Sequence, residues 1–539
     1  MAFLSLSLWR QAVRSLIRRP AFLLAVTLTL ALSTAVTAAM AALVDTVLLK
    51  PLPFPDPERL VTVFEASPSV NARVSLVAPA RLDDWQRRST SFEALSGSYG
   101  ENVTDTGGRE PEQLAAVRVA PRFFDVYARP PLAGRYFTDD EEQLTGPGAA
   151  VISEGLWQRR YGRADGALGQ RLLIAGQPVT IVGIVSDTFD QARGTDVWLP
   201  ARIPPGLMRV RAARFLRGIG RLKPGVSVEA AAGEMAAVQA GLAREFPETD
   251  DGWSVTLRPL AEARTAGARR GLVILLGSVA LLWLIAVANV AGLMVMQTTR
   301  RLREVAVRLS LGASVSQAAA TIAAEGVAIA ALGGAAGAVG AAWLVRLMPA
   351  VLVRTPRIEE LVFDWRAAAL VVASGVIAAV GCGVLPALAA VGRTESLLQS
   401  AGPRGGVGGR HRLQRAAVVL QVALSLAILA SAAVLLRAYY RLEQAAPGFD
   451  ARGAITFRVA ARWDEDRAAI GRLQASLLSR LRDLPQVTGV GMTSFLPATG
   501  ATLRTQVTVD GIVGPDEGGR MTVGSRIVDG GYPRPSARR

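Results

Sequence analysis

Five long apolar runs interrupt an otherwise mixed pattern of hydrophobic and polar positions. The first, residues 21–44, contains no charged side chain. A helix rises 1.5 Å per residue, so about 20 apolar residues cross the roughly 30 Å hydrocarbon layer of a bilayer. Four further runs lie at about 271–296, 318–345, 367–391 and 416–436. Each reads as a membrane span. The first run could instead be a cleaved signal peptide, with Ala38 and Ala39 mimicking a cleavage site. Its length exceeds the roughly 7–15 apolar residues of a signal core, which favours an uncleaved anchor.

Between the first two runs the pattern changes in kind. Residues 45–270 mix charged, Pro and Gly residues with short strand-like stretches. In 171–185, two β-type runs flank Ala175-Gly176, which predicts a hairpin. Across 227–246, Val228, Ala231, Met235, Val238, Leu242 and Phe246 recur at helical spacing. This is the pattern of a mixed α/β domain of roughly 220 residues, large enough for its own core. The expected fold is therefore an α-helical membrane protein of about five transmembrane helices with a mixed α/β extracytoplasmic domain. Residues 437–539 return to the mixed pattern and read as a partial second extracytoplasmic domain.

Charge gives these elements an orientation. Arg10, Arg14, Arg18 and Arg19 precede the first span. Arg300, Arg301, Arg303 and Arg308 follow the second. Arg393, Arg404, Arg410, Arg412 and Arg415 follow the fourth. Basic residues concentrate on the cytoplasmic side, which places the N-terminus (1–20), the loop 298–316 and the linker 393–415 in the cytoplasm. The loop 348–365, with Arg354 and Arg357 against Glu359, Glu360 and Asp364, falls outside with the large domain and the tail.

The net charge is +16, and Lys50 and Lys223 are the only lysines. Such a balance can signal nucleic-acid binding, but here the arginines flank apolar runs, so no nucleic-acid partner is expected. Both lysines precede proline, and no GxxxxGK[ST] motif occurs, so these residues hold no P-loop. The single histidine, His411, lies in the basic linker, and the single cysteine, Cys382, in an apolar run. A Ser-His-Asp triad, a His or Cys metal site and an internal disulfide are accordingly not expected. Asp139-Asp140 and Glu141-Glu142 read as a solvated acidic turn. No catalytic, cofactor-binding or metal-ligating residue is assigned, and no enzymatic activity is expected.

Two segments stand out. In 300–314, Leu302, Val305, Ala306 and Leu309 recur at i, i+3, i+4 and i+7, with Glu304 and Arg308 paired at i, i+4 on another face. Gly312 suits the position after a helix end, and Ser314 with Gln317 has capping-box spacing. This short amphipathic helix either tidies a loop or docks a cytoplasmic partner. In the next span, Gly333, Gly337 and Gly340 form a small-residue stripe suited to close helix packing, within the chain or between copies. Glu325, the charge in that span, reads as solvated near its cytoplasmic end.

The chain resembles the MacB/FtsX-like ABC transporter permeases, and most of all their duplicated, acidobacterial-type members. Residues 18–32 (RRPAFLLAVTLTLAL) and 47–60 (VLLKPLPFPDPERL) resemble that family's first span and the segment after it. Residues 157–162 (WQRRYG), 196–200 (DVWLP) and 221–226 (RLKPGV) are similar to its outer domain. Residues 285–290 (IAVANV) and 303–314 (REVAVRLSLGAS) are similar to its permease core. The resemblance implies a MacB-like periplasmic core domain at 45–270, an FtsX-like core at 271–392 containing spans two to four, and a fifth span at 416–436. It implies a multi-pass protein of the bacterial inner membrane. A separate ATP-binding cassette ATPase would contact the coupling loop 298–316 through Arg301, Arg303, Glu304, Arg308 and Leu309. A second copy or another permease, and a periplasmic adaptor, are further implied partners. Export of hydrophobic, lipid-linked or peptide-like molecules is the implied role.

Arg412-Leu-Gln-Arg415 and the following span resemble a second copy's first helix, and residues 526–532 echo 118–124. The second outer domain stops soon after Tyr532, and a second set of three spans is absent from the 539 residues. A truncated or frameshifted chain, inactive alone, is one expectation. The rivals are a membrane-anchored sensor or scaffold without transport, and a membrane-bound hydrolase acting outside the cell.

Overall fold

The computed structural model describes residues 6–67, 72–108, 110–189, 194–300, 315–352, 357–388 and 408–443, then 453–457, 459, 467–494, 503–507, 521–525 and 527–529. The longer helices, in chain order, are α1 (Leu6–Ile17), α2 (Pro20–Val44), α3 (Pro79–Arg88), α4 (Val228–Glu245), α5 (Leu260–Arg300), α6 (Val315–Val351), α7 (Trp365–Ala379), α8 (Gly408–Glu443) and α9 (Arg467–Arg482). The chain divides into two units. One holds Met1–Lys50 and Arg264–Gln444, the other Pro51–Ala263 and Ala445–Arg539.

The first unit is a helical bundle. Among the described residues five helices are long and apolar enough to cross a membrane: Pro20–Leu49, Leu260–Thr298, Ala319–Val351, Trp365–Leu388 and Gln421–Ala438. α2 starts with proline at its first turn, where the missing N–H costs nothing, and ends in a π-helical turn, Asp45–Leu49. Three of its hydroxyls are satisfied internally: Thr29, Ser33 and Thr37 donate to the carbonyls of Ala25, Thr29 and Ser33 at 2.8, 2.9 and 2.8 Å. In a lipid environment this removes the cost of unpaired polar groups. α7 is capped by Asp364, whose carboxylate accepts from the Arg366 and Ala367 amides at 3.1 Å each.

Three boundaries differ from the hydropathy reading. The second span helix begins at Leu260 rather than 271, because the stretch 262–270 is rich in Ala and Arg, which favour helix, while its three arginines lower the hydropathy. Helix also runs through Arg300 and resumes at Val315, inside the expected loop 298–316. The fifth helix starts at Gly408, inside the expected linker. Apolar length reports the lipid-crossing part of a helix and not its ends. α1 was not expected at all: it occupies the segment read as a cytoplasmic N-terminus.

The second unit is built on an eleven-stranded mixed sheet. Its strands are β1 (Leu60–Ser67), β2 (Ala72–Ser75), β3 (Phe92–Asp105), β4 (Glu112–Val119), β5 (Ala133–Gly134), β6 (Ala149–Ser153), β7 (Arg171–Ile174), β8 (Gln177–Val185), β9 (Val197–Pro200), β10 (Arg217–Leu222) and β11 (Ser254–Pro259). The order is β11-β1-β10-β3-β4-β9-β6-β8-β5, with β2 added to β1 and β7 bridging β3 and β8. β4 with β9 and β6 with β8 are parallel, and the other pairs are antiparallel. A separate hairpin joins β12 (Leu503–Val507) to β13 (Met521–Ser525).

The 171–185 hairpin forms as its sequence requires. Ala175 and Gly176 both take positive φ, 51° and 73°, the geometry of a two-residue turn that matches strand twist. The 227–246 periodicity becomes α4, with the Ser227 hydroxyl capping the Ala230 amide at 3.1 Å and Ala231, Met235 and Leu242 buried. The acidic turn does not match its expectation. Thr138 and Glu141 form a capping box, which turns Glu141 inward to 6% exposure, where Arg135 grips it at 2.7 and 2.8 Å.

Candidate functional site

The bundle is held at points where side chains are missing. A Cβ on Gly333 would stand 2.7 Å from Leu30 Cβ, one on Gly337 2.8 Å from Thr34 Cβ, and one on Gly340 2.9 Å from Ala35 Cβ. The small stripe of α6 thus lies along α2 within the same chain. A second crossing joins α6 to the π-helical turn Val380–Val384 that continues α7. A Cβ on Gly326 would overlap the Gly383 Cα, one on Gly383 would meet the Ala323 carbonyl at 2.8 Å, and one on Gly381 would meet Val287 of α5 at 2.9 Å. Cys382, fully buried, directs its thiol to the Val287 carbonyl at 3.8 Å. π-turns inside helices recur at functional sites because they widen the backbone ladder locally. Here the turn brings three helices to one contact. Glu325, adjacent to this crossing, is buried at 8% exposure rather than solvated.

The proline strap after α2 forms the other organised feature. In Lys50–Pro57 every second residue is proline, which removes backbone donors and leaves carbonyls to be satisfied. Within the bundle unit, Arg357 donates to the Lys50 carbonyl at 2.5 Å while holding Glu360 at 3.1 and 2.8 Å. Arg366 reaches Asp45 at 3.1 Å. Within the sheet unit, Arg129 donates to the Pro53 carbonyl at 3.0 Å and Arg221 to the Pro55 carbonyl at 2.9 Å. Arg221, 1% exposed, also binds the carbonyls of Val126 and Tyr127 at 2.7 and 3.2 Å. Leu52 and Phe54 enter an aromatic core with Phe123, Phe124, Tyr127 and Phe189, and Leu260, which opens α5, belongs to the same core. The Phe54 ring lies 4.7 Å from Tyr127 and 5.6 Å from Phe189.

Farther along the sheet unit a buried ionic network joins β1, α3 and the turn after α4. Arg81 pairs with Glu65, and with Asp250 at 2.6 Å. Arg211 bridges Asp250 and Asp84 at 2.7 Å each, and Arg214 binds Glu65 at 2.6 Å. Burial opposes ionisation of Asp250, but hydrogen bonds from Arg211, Arg81 and Thr249 outweigh it and hold the carboxyl well below its usual range. Among the described residues no group of three or more His, Cys, Asp or Glu side chains could hold a metal ion.

Two family models match. Residues 23–238 match the MacB-like periplasmic core domain and residues 276–394 the FtsX-like permease C-terminal region. The chain belongs to the MacB/FtsX-like ABC transporter permeases. The permease is 26% identical over 264 residues to the macrolide export ATP-binding/permease protein MacB of Shewanella sp. (strain ANA-3), covering 47% of this chain and 39% of that one. It is 27% identical over 224 residues to a probable syringafactin export ATP-binding/permease protein SyfD of Pseudomonas syringae pv. tomato, covering 41% and 32%. The permease thus matches less than half the length of these relatives. Among solved structures, the periplasmic region of MacB from Actinobacillus actinomycetemcomitans aligns with 39% of this chain and 92% of that one, at 13% identity and a TM-score of 0.30.

The sequence-assigned coupling residues of the permease, Arg301, Arg303, Glu304, Arg308 and Leu309, lie outside the described residues, between the end of α5 and the start of α6. Gly333, Gly337 and Gly340 lie on the α2 contact. Sequence reasoning missed Gly326, Gly381 and Gly383. A Gly-Cys-Gly triplet inside an apolar run was the available signal. It also missed the arginine contacts to the strap, since no local pattern links Arg357, Arg129 and Arg221 to carbonyls at 50, 53 and 55.

Proposed function

We propose that this permease is the membrane component of an ATP-driven exporter of the bacterial inner membrane, powered by a separate ATP-binding cassette subunit. The observation that carries the reading is the FtsX-like match over 276–394, which brackets the basic segment 298–316 between two spans. The ATPase docks on that segment through Arg301, Arg303, Glu304, Arg308 and Leu309. None of the 539 residues forms a P-loop, so the nucleotide site is supplied by other residues, as the names of the relatives, ATP-binding/permease proteins, also suggest. The N-terminus is cytoplasmic and the 45–270 domain extracytoplasmic, in line with the arginine distribution. ATP-driven closure of the ATPase moves α5 and α6, and the outer domain responds. The cargo class is hydrophobic, lipid-linked or peptide-like. A second permease copy and a periplasmic adaptor belong to the same reading, as does the duplicated subtype.

The test is co-purification of ATP-hydrolysing activity with the tagged full chain from native membranes. Glu304→Arg turns an i, i+4 attraction with Arg308 into repulsion and is expected to release the ATPase. Undiminished co-purification with this variant would remove the docking role. Ligand binding by the chain with no ATPase partner would favour a sensor or scaffold.

A further inference from the structure

α1 carries three stripes along its length. Ala12 and Leu16 are buried, at 0% and 4% exposure, where α1 packs on α6. Val13 and Ile17 stand 44% and 64% exposed. Arg10, Arg14 and Arg18 are exposed, and the helix contains no acidic residue. Each residue turns the helix by about 100°. Around the axis the order is therefore the buried Ala12–Leu16 face, half-buried Trp9, exposed Val13 and Ile17, and then the row Arg10, Arg14 and Arg18 at i, i+4 and i+8. The arginines fall within an arc of about 80°. Arg19 is not part of the row, since its guanidinium binds Gln297 near the end of α5.

An exposed apolar strip beside a membrane-crossing bundle, bordered on its far side by guanidinium groups, is the cross-section of a helix lying in the plane of the lipid interface. Its apolar side chains enter the acyl boundary while its cations sit at the depth of the headgroups. Guanidinium favours phosphate because its planar fork donates two parallel hydrogen bonds. We infer that α1 is a binding surface for anionic phospholipid, with headgroup phosphates seated on Arg10, Arg14 and Arg18 and with Val13 and Ile17 in the acyl boundary. The occupant is lipid and not protein on two grounds: exposed apolar side chains recur on the span that follows, at Leu24, Leu28 and Leu32, and the cations of α1 lie beside its own apolar strip in one row. The α1–α2 corner is tied through Arg19 and Gln297 to the end of α5.

The test uses the purified full chain in mild detergent, offered equal amounts of phosphatidylglycerol and phosphatidylcholine, with retained lipids counted by native mass spectrometry. Wild-type protein is expected to retain phosphatidylglycerol preferentially. The preference is expected to fall by about fivefold for each of Arg10, Arg14 and Arg18 replaced by Gln. R10K/R14K/R18K is expected to keep most of it, separating charge from misfolding. Should the Gln variant fail to fold, the wild-type preference measured in molar salt serves instead and is expected to collapse, because exposed charges are screened within about 3 Å there. Equal retention of the two lipids by wild type overturns the proposal. So does an unchanged preference in the Gln variant or in molar salt, and so does loss of a co-purifying acidic protein with lipid preference intact.

Discussion

Gly326 and Gly383 meet backbone to backbone, with no room for a Cβ on either. A Cβ has no torsion that could move it aside, so alanine at Gly326 must push α6 away from the Val380–Val384 turn. Overpacking of this kind costs about 1–3 kcal/mol. Gly326→Ala is expected to lower the thermal unfolding midpoint of the full chain in detergent. Gly334→Ala on the same helix, where nothing lies within 4 Å, is expected to leave it unchanged or slightly raised. Equal midpoints for the two variants would mean that the crossing is looser than it stands here.

The Gly333, Gly337 and Gly340 stripe separates intrachain packing from dimer packing. Leu30, Thr34 and Ala35 of the same chain occupy the positions a second copy would need. Gly337→Leu is therefore expected to destabilise the single chain, seen as a lower midpoint at all protein concentrations. A midpoint that falls only at high concentration would instead locate the stripe between copies.

Legibility followed the range of the interaction. Val228, Ala231, Met235 and Leu242 announced α4 because helical burial repeats every three to four residues. Ala175-Gly176 announced its turn because positive φ is a local demand. The membrane spans were legible for the same reason, since lipid selects each helix by its own apolar length. The helix ends were not, because charged helical residues at 262–270 look like loop to a hydropathy scale. The Gly326–Gly383 crossing and the Arg221–Pro55 contact join residues 57 and 166 positions apart by number, and nothing in a local window encodes such a pair. Arg301 to Leu309 were legible as a pattern, and their structure lies outside the described residues.

Asp250 makes the sheet unit sensitive to acid in a defined direction. Its folded pKa is held below that of an unfolded aspartate near 3.9. Its stabilising contribution is therefore complete above the unfolded value and is lost as pH falls through the folded one. Asp250→Asn leaves Arg81 and Arg211 without their shared carboxylate at a buried site, a change worth about 3–5 kcal/mol. The variant is expected to unfold earlier at pH 7 and to show a smaller further loss between pH 5 and pH 3 than wild type. Equal acid sensitivity in both proteins would shift the effect to other carboxylates, of which Glu141, also held low by Arg135, is the first to test.

Glu142 works in the opposite sense. Burial, reinforced by Asp139, Asp125 and Glu141, pushes its carboxyl up to about 7, against a hydrogen bond from the Arg122 amide. A folded pKa above the unfolded value near 4.3 means that the folded state holds a proton the unfolded state has released. Stability from this group is full below pH 4 and declines as pH rises toward 7. Glu142→Gln is expected to raise the unfolding midpoint at pH 8 and to change it little at pH 4. A variant that destabilises equally at both values would show that Glu142 serves through its hydrogen bond and not its charge.

The strap after α2 yields the most local prediction. Arg221 supplies hydrogen bonds to three carbonyls, Pro55, Val126 and Tyr127, from a site 1% exposed. Removing it strands buried acceptors, each costing about 1–3 kcal/mol. Arg129, only half-buried, donates to the Pro53 carbonyl at 3.0 Å, and its loss is expected to cost less. Only Leu52, Phe54 and Asp56 carry backbone amides among residues 51–57, because the other four are proline. Hydrogen exchange in this stretch thus reports three amides. The Phe54 amide, donating to Leu52 at 2.8 Å, is protected only while the strap keeps its bend against Tyr127 and Phe189. Arg221→Ala is expected to speed exchange at Phe54 by at least about tenfold, Arg129→Ala only slightly, and Arg221→Lys to fall between, since an ammonium group lacks the planar fork that spans the three acceptors. Exchange at Phe54 unaffected by Arg221→Ala would mean that the aromatic contacts alone hold the strap in place.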